Sequence, residues 1–180
     1  MESHRLVLSV IVLTVIVVTL FLGKPSVTGF VSTETYTQSI DIDVFESQRF
    51  VLSSDGQLLR LSSFSMAGSV NGNGLINVYL TDGAKKWLVF SNKKKPGSSM
   101  EQITGMAVSE LDIEPGEKLN RIETLPSGYQ TASGAFQNEC IETCVLDEEM
   151  FNKSELYLDV IVEPGTSLHI SEIRYSAMSE

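Results

Sequence analysis

The sequence predicts an all-β fold, an antiparallel β-sandwich of jelly-roll type, preceded by one N-terminal transmembrane α-helix. Residues 6–22 form an uncharged and almost wholly aliphatic run. The remainder is acidic and consists of short apolar or alternating segments separated by Gly, Pro and Asn turn signals. No helix of useful length is indicated there, apart from a short turn at residues 142–151.

The apolar run has the properties of a membrane anchor. As a helix, residues 6–22 would span roughly 25 Å, near the lower limit for crossing a bilayer core. A cleavable secretory signal has a shorter apolar region followed by small residues, whereas this run ends in Phe21 and Leu22. We therefore expect an uncleaved signal anchor. A cleaved signal and a helix buried within protein are the alternatives.

The residues that flank the run and the size of the domain after it predict the orientation. Arg5 precedes the run and Lys24 comes after it, so the positive charges at its two ends nearly balance. The preceding tail is very short, and translocation of a large domain is ordinary for a signal anchor. We expect a cytoplasmic tail at 1–5, a transmembrane anchor at 6–22 that contacts membrane lipid, a linker at 23–34 and an extracytoplasmic domain at 35–180.

The formal net charge of the chain is −10, and it belongs to the domain after the anchor. An acidic surface argues against nucleic acid and against docking on anionic lipid. Solubility outside a cell is the simplest interpretation of this charge. A cation-rich environment or bound divalent ions is the alternative.

The two cysteines, Cys140 and Cys144, are predicted to form a disulfide if the domain is exported. Residues four apart in an extended strand are separated by roughly 13 Å, whereas a disulfide needs Cα atoms within about 7 Å. A bridge therefore requires residues 141–143 to turn. Free thiols and a metal site are the alternatives, although two thiols supply only half of a zinc site.

Acidic and polar residues after the cysteines form the best candidate for a cation site. Asp147, Glu148, Glu149 and Asn152 could offer several oxygen ligands to calcium from one loop, although their spacing is not that of an EF-hand. An exposed acidic loop is the alternative. Asn152 also begins an Asn-Lys-Ser glycosylation sequon, which would suit a surface loop outside the cell.

The strand signals are strongest in the first half of the domain. Residues 35–44 alternate in polarity, and residues 58–91 are predicted as a three-stranded meander. The turns of this meander are Asn71-Gly72-Asn73-Gly74 and Asp82-Gly83, because Asn, Asp and Gly tolerate positive φ. Residues 87–90 are apolar on both faces, so we expect that strand in the centre of a sheet.

The second half contains a predicted loop, shorter strands and two proline turns. Residues 92–104 are expected to form the loop. Pro115-Gly116 and Pro164-Gly165 each suit a type II turn, since proline fixes φ and glycine accepts positive φ. Further strands are predicted near residues 106–111, 118–122, 135–140, 155–162 and 167–175.

Several segments resemble known proteins. They are Ser69-Val70-Asn71-Gly72-Asn73-Gly74 followed by Val78-Tyr79-Leu80, then Cys140-Ile141-Glu142-Thr143-Cys144, and then Val162-Glu163-Pro164-Gly165-Thr166, which leads into Ile170 and Ile173-Arg174-Tyr175. Together they resemble uncharacterised single-pass surface proteins of archaea. The final strand is similar to the closing strand of the galactose-binding-like jelly rolls of carbohydrate-binding modules. The resemblance implies a jelly-roll sandwich outside the cell and carries over no catalytic residue.

The residue types favour binding over catalysis. Histidine is scarce, and His169 in a predicted strand is expected to be an outward polar residue. No serine lies in a Gly-x-Ser-x-Gly motif, and Asp41 and Asp43 are expected to be the solvent side of a strand. Trp87 and Tyr129 are the candidate ligand-binding aromatics, with Tyr79 and Tyr157 as further ones, although aromatic residues in sheets more often belong to the core.

The sequence therefore predicts a membrane-anchored, non-catalytic surface module that binds glycan or protein and needs no cofactor other than, at most, calcium. A pilin-like filament subunit is one alternative, since pilins also join an apolar helix to a β head. Pilins are normally processed at a small residue just before the apolar run, whereas His4 and Arg5 occupy those positions here. An accessory subunit of a larger membrane complex is the other alternative.

Overall fold

A computed structural model describes residues 33–54, 58–94, 111–146 and 153–178, all of which belong to the compact unit Ser32–Glu180. Within these ranges no helix is long and apolar enough to cross a membrane. The predicted tail, anchor and most of the linker lie outside the described residues.

The described residues are all-β and contain no α-helix. Their strands are β1 (Thr33–Val44), β2 (Gln48–Ser53), β3 (Leu61–Asn71), β4 (Ile76–Thr81), β5 (Lys86–Ser91), β6 (Lys93–Lys94), β7 (Asp112–Lys118), β8 (Gln130–Thr131), β9 (Gly134–Glu139), β10 (Glu155–Val162) and β11 (Ser167–Met178). The predicted strands at 35–44, 135–140, 155–162 and 167–175 are confirmed as β1, β9, β10 and β11.

Two antiparallel sheets enclose one apolar core. The first has the strand order β1-β11-β3-β9 and the second the order β5-β4-β10-β2-β7, while β6 and β8 form a short separate ribbon. Alternate residues of both sheets enter the core because side chains along a strand point to opposite faces. The core includes Phe64 and Ile173 from the first sheet and Leu80 and Leu158 from the second. This arrangement agrees with the predicted antiparallel β-sandwich.

The prediction of a three-stranded meander at 58–91 is wrong, because β3 and β4 lie in different sheets. Residues 71–75 form a corner between the sheets and pack against the turn that joins β10 to β11. In this corner the Gly74 amide donates to Thr166 Oγ1 at 2.6 Å, and the Leu75 amide donates to Glu163 Oε2 at 2.7 Å. Side chains from the β10–β11 turn thus accept hydrogen bonds from two backbone amides of the corner. The chain crosses to the other sheet here, and its Asn-Gly pairs do not close a hairpin.

Glycine is needed at this corner for steric reasons. Gly72 has φ of +108°, and a Cβ placed on it would lie 2.7 Å from the carbonyl oxygen of Gly165. The second predicted turn, Asp82-Gly83, does join a hairpin, since β4 and β5 pair directly. Gly83 has φ of +90° with nothing within 4 Å of such a Cβ.

The prediction that residues 87–90 occupy the centre of a sheet is also wrong, because β5 is an edge strand. Its outer edge is covered by the turn at residues 140–146. The amides of Ile141 and Glu142 donate to the carbonyls of Val89 and Leu88 at 3.0 and 2.7 Å. This cover, together with burial of Val89 and Phe90 in the core, accounts for the apolar character of the strand.

The remaining differences concern residues 112–129. Pro115 and Gly116 lie within β7 instead of forming a turn, and proline is tolerated there because β7 is an edge strand. Residues 119–129 form no strand, so the prediction at 118–122 is not borne out beyond Lys118. The second proline turn is confirmed, with Pro164 and Gly165 in the turn between β10 and β11. The predicted strand at 106–111 lies almost wholly outside the described residues.

Candidate binding face

The outer side of the five-stranded sheet carries a group of charged and aromatic side chains that contact one another. Its members alternate along their strands with residues of the core, which places them on the side away from the other sheet. We call this group the Asp159 face, and it consists of Arg49 on β2, Tyr79 on β4, Lys86 on β5, and Tyr157 and Asp159 on β10.

Strand register brings these residues together. Asp159 lies opposite Arg49 on one neighbouring strand and opposite Tyr79 on the other. Tyr157 is two residues before Asp159 and therefore points to the same side of the sheet. Cross-strand neighbours on one face are separated by about 5 Å, so the group forms a continuous surface.

Asp159 is the centre of an ion-pair network. Arg49 donates to its two carboxylate oxygens from Nε at 2.6 Å and from Nη2 at 3.1 Å, and Lys86 Nζ lies 2.5 Å from Oδ2. Arg49 Nη1 also donates to Glu117 Oε1 at 3.0 Å. The Asp159 side chain is only 1% exposed, whereas those of Arg49 and Lys86 are 25% and 37% exposed. The network therefore presents cationic groups to solvent above a buried anion.

The network fixes the ionisation of its members. Burial by itself would raise the pKa of Asp159, but the hydrogen bonds and charges of Arg49 and Lys86 outweigh it and hold the pKa below its ordinary value. The hydrogen bond to Asp159 raises the pKa of Arg49 despite partial burial. Both groups remain charged at neutral pH, so neither is suited to exchange protons.

A loop at residues 119–126 adjoins the Asp159 face through a carboxylate. Glu123 Oε2 accepts from Asn77 Nδ2 at 2.6 Å and from the Tyr79 hydroxyl at 2.9 Å. Arg121 pairs with Glu123 at 3.1 Å. Burial, followed by the bond to Glu123, raises the pKa of Tyr79 to about 12, so its hydroxyl stays protonated as a donor.

Both tyrosine rings of the face lie close to a cation. The guanidinium carbon of Arg49 is 5.1 Å from the centroid of the Tyr157 ring, and Lys86 Nζ is 5.9 Å from that of Tyr79. Such cation–π contacts restrict both partners. The face therefore combines aromatic surface, hydrogen-bond donors and fixed charges.

The structure does not bring the predicted aromatics Trp87 and Tyr129 together. Trp87 lies opposite Leu80 on β4 and packs against the core, as aromatic residues in sheets usually do. Tyr129 is half-buried in a turn just before β8, where Lys93 Nζ is 5.0 Å from its ring centroid. The two residues are thus placed near opposite ends of β5, and Trp87 faces the interior.

The cysteines are placed as a disulfide requires. The sulfur atoms of Cys140 and Cys144 are 2.08 Å apart and their Cα atoms 4.9 Å apart. The prediction that residues 141–143 must turn is confirmed. The proposed calcium ligands Asp147, Glu148, Glu149 and Asn152, and with them the sequon, lie outside the described residues and stay predictions.

His169 lies among the acidic residues of β1. Its Nδ1 is 3.0 Å from Asp43 Oδ1, and its Nε2 is 3.6 Å from Asp41 Oδ1. Asp41 adopts φ of +49° in a β-bulge. In the described part of the chain no three His, Cys, Asp or Glu side chains are close enough together to hold a metal ion.

Sequence reasoning missed Arg49, Lys86, Glu123 and Asp159. Asp159 carried a usable signal, because it is the one charged residue inside the apolar end of β10. A charged residue in a buried strand is almost always paired. Its partners come from β2 and β5, which are distant in sequence, so they could not be identified without the sheet order.

Comparison of the chain with protein-family models, with curated proteins and with solved structures found no match.

Proposed function

We propose that the chain is a membrane-anchored, non-catalytic binding module in which a jelly-roll domain outside the membrane binds glycan through the Asp159 face. The observation that carries the binding proposal is the network in which Arg49 and Lys86 hold the buried carboxylate of Asp159 beside two tyrosine rings. A sugar offers hydroxyl groups to fixed charges and an apolar face to an aromatic ring, and this face has both.

The strand connections support the jelly-roll assignment. From β1 to β4 each successive strand lies in the other sheet, and the same alternation recurs from β9 to β11. Jelly rolls are sandwiches of interleaved Greek keys and include lectin domains. The additional strand β7 extends the second sheet beyond β2.

Two independent features support a domain that is anchored to the membrane and lies on its outer side. The uncharged run at 6–22 is long enough for an anchor, and the cysteine pair is at disulfide distance. Disulfides persist in oxidising compartments, which agrees with export of the domain after the anchor.

The charge states support a non-catalytic role. General acid–base catalysis needs a group whose pKa lies near the working pH. On the Asp159 face the pKa of Asp159 is lowered and that of Tyr79 is about 12, so both are far from neutrality. The face is better suited to recognition than to proton transfer.

Binding of the full chain, in detergent micelles, to a glycan array tests the proposal. We expect binding to one class of glycan that Tyr157→Ala weakens at least about tenfold, since an aromatic contact of more than about 1.4 kcal/mol is lost. Ser69→Ala, on the outer side of the four-stranded sheet, is the matched control and should bind like the unaltered chain.

A second variant distinguishes the two aromatic sites. Tyr129→Ala should leave binding unchanged because Tyr129 lies by the β6–β8 ribbon. If Tyr129→Ala abolished binding while Tyr157→Ala bound like the unaltered chain, the site would lie elsewhere and the proposal would be contradicted. Absence of glycan binding, with saturable binding of a purified surface protein, would contradict the glycan assignment and leave a protein-binding module.

A further inference from the structure

The turn at residues 140–146, here called the seam turn, connects the two sheets along one side of the sandwich. It leaves β9 in the four-stranded sheet and runs beside both β3 and the edge strand β5. A stacked pair of aromatic rings, Phe90 and Phe136, lies on the same side with its centroids 4.0 Å apart. The seam turn therefore lies beside β3 of the four-stranded sheet and along the outer edge of β5 in the five-stranded sheet.

Its contacts with β3 continue the β3–β9 pairing. The Phe64 amide donates to the Thr143 carbonyl at 2.8 Å, and Thr143 Oγ1 donates back to the Phe64 carbonyl at 2.6 Å. The Leu146 amide donates to the Ser62 carbonyl at 2.9 Å. Thr143 is fully buried, so these bonds are shielded from water.

Its contacts with β5 satisfy the exposed edge of that strand. The amides of Ile141 and Glu142 donate to Val89 and Leu88, and the Leu88 amide donates to Glu142 Oε2 at 2.7 Å. Unpaired groups on a strand edge are a template for association with another chain. The seam turn thus covers β5 in the manner of an added strand.

The disulfide encloses three of the four residues that make these contacts, Ile141, Glu142 and Thr143, whereas Leu146 lies outside its ring. Residues 141–143 lie inside the ring closed by Cys140 and Cys144, whose Cα atoms are 4.9 Å apart. Two of them face β5 and one faces β3, which requires a tight turn. An extended chain of this length would separate the ends by roughly 13 Å. The covalent bridge therefore removes most of the conformations in which the β5 contacts are broken.

The bridge is open to chemical attack. Cys144 is exposed and Cys140 is half-buried, and the adjoining Val145 is 82% exposed. Thiol–disulfide exchange depends on access of a thiolate to one sulfur, and exposed disulfides are the labile ones. By contrast, the Thr143 bonds to β3 are buried and do not involve either cysteine.

We propose that the Cys140–Cys144 disulfide is a reducible latch that holds the seam turn on the edge of β5. A thiolate of a dithiol attacks Cys144 Sγ, forming a mixed disulfide and releasing Cys140 as a thiolate. The second thiol of the reductant then displaces the Cys144 sulfur and closes a cyclic disulfide. Two electrons and two protons pass from the dithiol to the cysteines. The turn then relaxes from β5 while Thr143 keeps it on β3, and the edge at Leu88 and Val89 becomes accessible.

Hydrogen exchange of the full chain in detergent micelles, with and without dithiothreitol, tests this latch. On reduction we expect exchange of the Ile141, Glu142 and Leu88 amides to accelerate by at least about tenfold, since local opening becomes easier. The amide of Val78, in the middle of β4, should be unchanged. Equal protection of the three amides in the oxidised and reduced chains would overturn the proposal.

Two variants separate the disulfide from the other anchor. The double variant Cys140→Ser with Cys144→Ser should exchange like the reduced chain and should not respond to dithiothreitol. Thr143→Val keeps the bridge but removes the side-chain bond to Phe64, and its three amides should stay protected while it is oxidised. If oxidised Thr143→Val already exchanged like the reduced chain, Thr143 and not the disulfide would be the latch. If a variant fails to fold, the comparison of amide exchange between the oxidised and the reduced unaltered chain still decides whether the disulfide holds the seam turn on β5.

Discussion

Asp159 and Arg49 lie opposite each other on neighbouring antiparallel strands, and the guanidinium donates to both carboxylate oxygens at 2.6 and 3.1 Å. The Asp159 side chain is buried, while that of Arg49 is partly exposed. Removal of either partner therefore leaves a charge with fewer bonds in a place that water does not reach freely. This pair is the structural basis of the first two predictions.

Arg49→Gln should destabilise the fold by about 1–3 kcal/mol, because Asp159 keeps only Lys86 as a charged partner. Urea unfolding gives the free energy of unfolding for this comparison. Lys118→Gln is the control, since Lys118 pairs with Glu46 and both side chains are largely exposed. Its effect should stay below about 1 kcal/mol. Equal losses in the two variants would mean that burial of Asp159 adds nothing to the pair.

The stability that Asp159 contributes should depend on pH in the acid range. Its folded-state pKa is lower than its ordinary value of 3.8, so the unfolded chain binds a proton more readily. The contribution is complete above the unfolded pKa and is lost as pH falls through the folded one. Unfolding measured across pH 2–5 should therefore show a shallower acid loss in Asp159→Asn than in the unaltered chain. Parallel curves would contradict this assignment.

Glu139 should show the opposite pH dependence. It lies opposite Met66 and is buried, and burial raises its pKa above the ordinary value of 4.5 despite the nearby charge of Lys94. Stability is then greatest below the unfolded pKa and is lost as pH rises through the folded one. Glu139→Gln should be more stable than the unaltered chain at pH 7 and equal to it in acid, as thermal unfolding at the two pH values can establish. A variant that is less stable at pH 7 would contradict this.

Asn92→Ala should cost about 2–4 kcal/mol of unfolding free energy, because one buried side chain joins three segments. Its Oδ1 accepts from the Ile76 amide at 2.8 Å, and its Nδ2 donates to the carbonyls of Gly74 and Ala132 at 2.8 and 3.3 Å. Asn120→Ala, at an exposed loop position, is the control and should change stability by less than about 0.5 kcal/mol. Equally small losses of unfolding free energy in Asn92→Ala and Asn120→Ala would show that water replaces the hydrogen bonds of Asn92.

Gly72→Ala and Gly83→Ala form a matched pair that tests the corner between the sheets. Both glycines have positive φ, but only Gly72 has a backbone oxygen 2.7 Å from the site of a Cβ. Both variants bear the conformational cost of alanine at positive φ, and Gly72→Ala should lose a further 1–3 kcal/mol, roughly the cost of overpacking. Chemical denaturation can compare them directly. Equal losses would indicate that the corner moves freely away from Gly165.

The sequence predicted the strands better than it predicted their partners. The polarity of β1 and the apolar composition of β10 are local properties, and both strands lie where they were expected. The pairing of β3 was missed because Asn-Gly signals a reversal of the chain but not whether the next strand joins the same sheet. Glu163 and Thr166, more than 80 residues further along, stabilise the sheet-crossing corner.

The candidate site was predicted less well for the same reason. Trp87 looked like a binding residue by its type alone, yet its register opposite Leu80 turns it towards the core. Asp159 could be singled out as a charge in an apolar strand, but Arg49 and Lys86 become its partners only through the sheet order. By contrast, the turn between Cys140 and Cys144 follows from covalent geometry and was predictable without any tertiary contact.

The most direct test of the central claim is the position of the C-terminal domain relative to the membrane. An epitope tag placed after Glu180 of the full chain can be probed with protease and antibody on intact cells, alongside an alkaline wash of the membranes. We predict that the tag is reached from outside without permeabilisation and that the chain stays with the membrane pellet. A tag reached only after permeabilisation, or a chain released into the supernatant, would contradict a membrane-anchored module with an external domain.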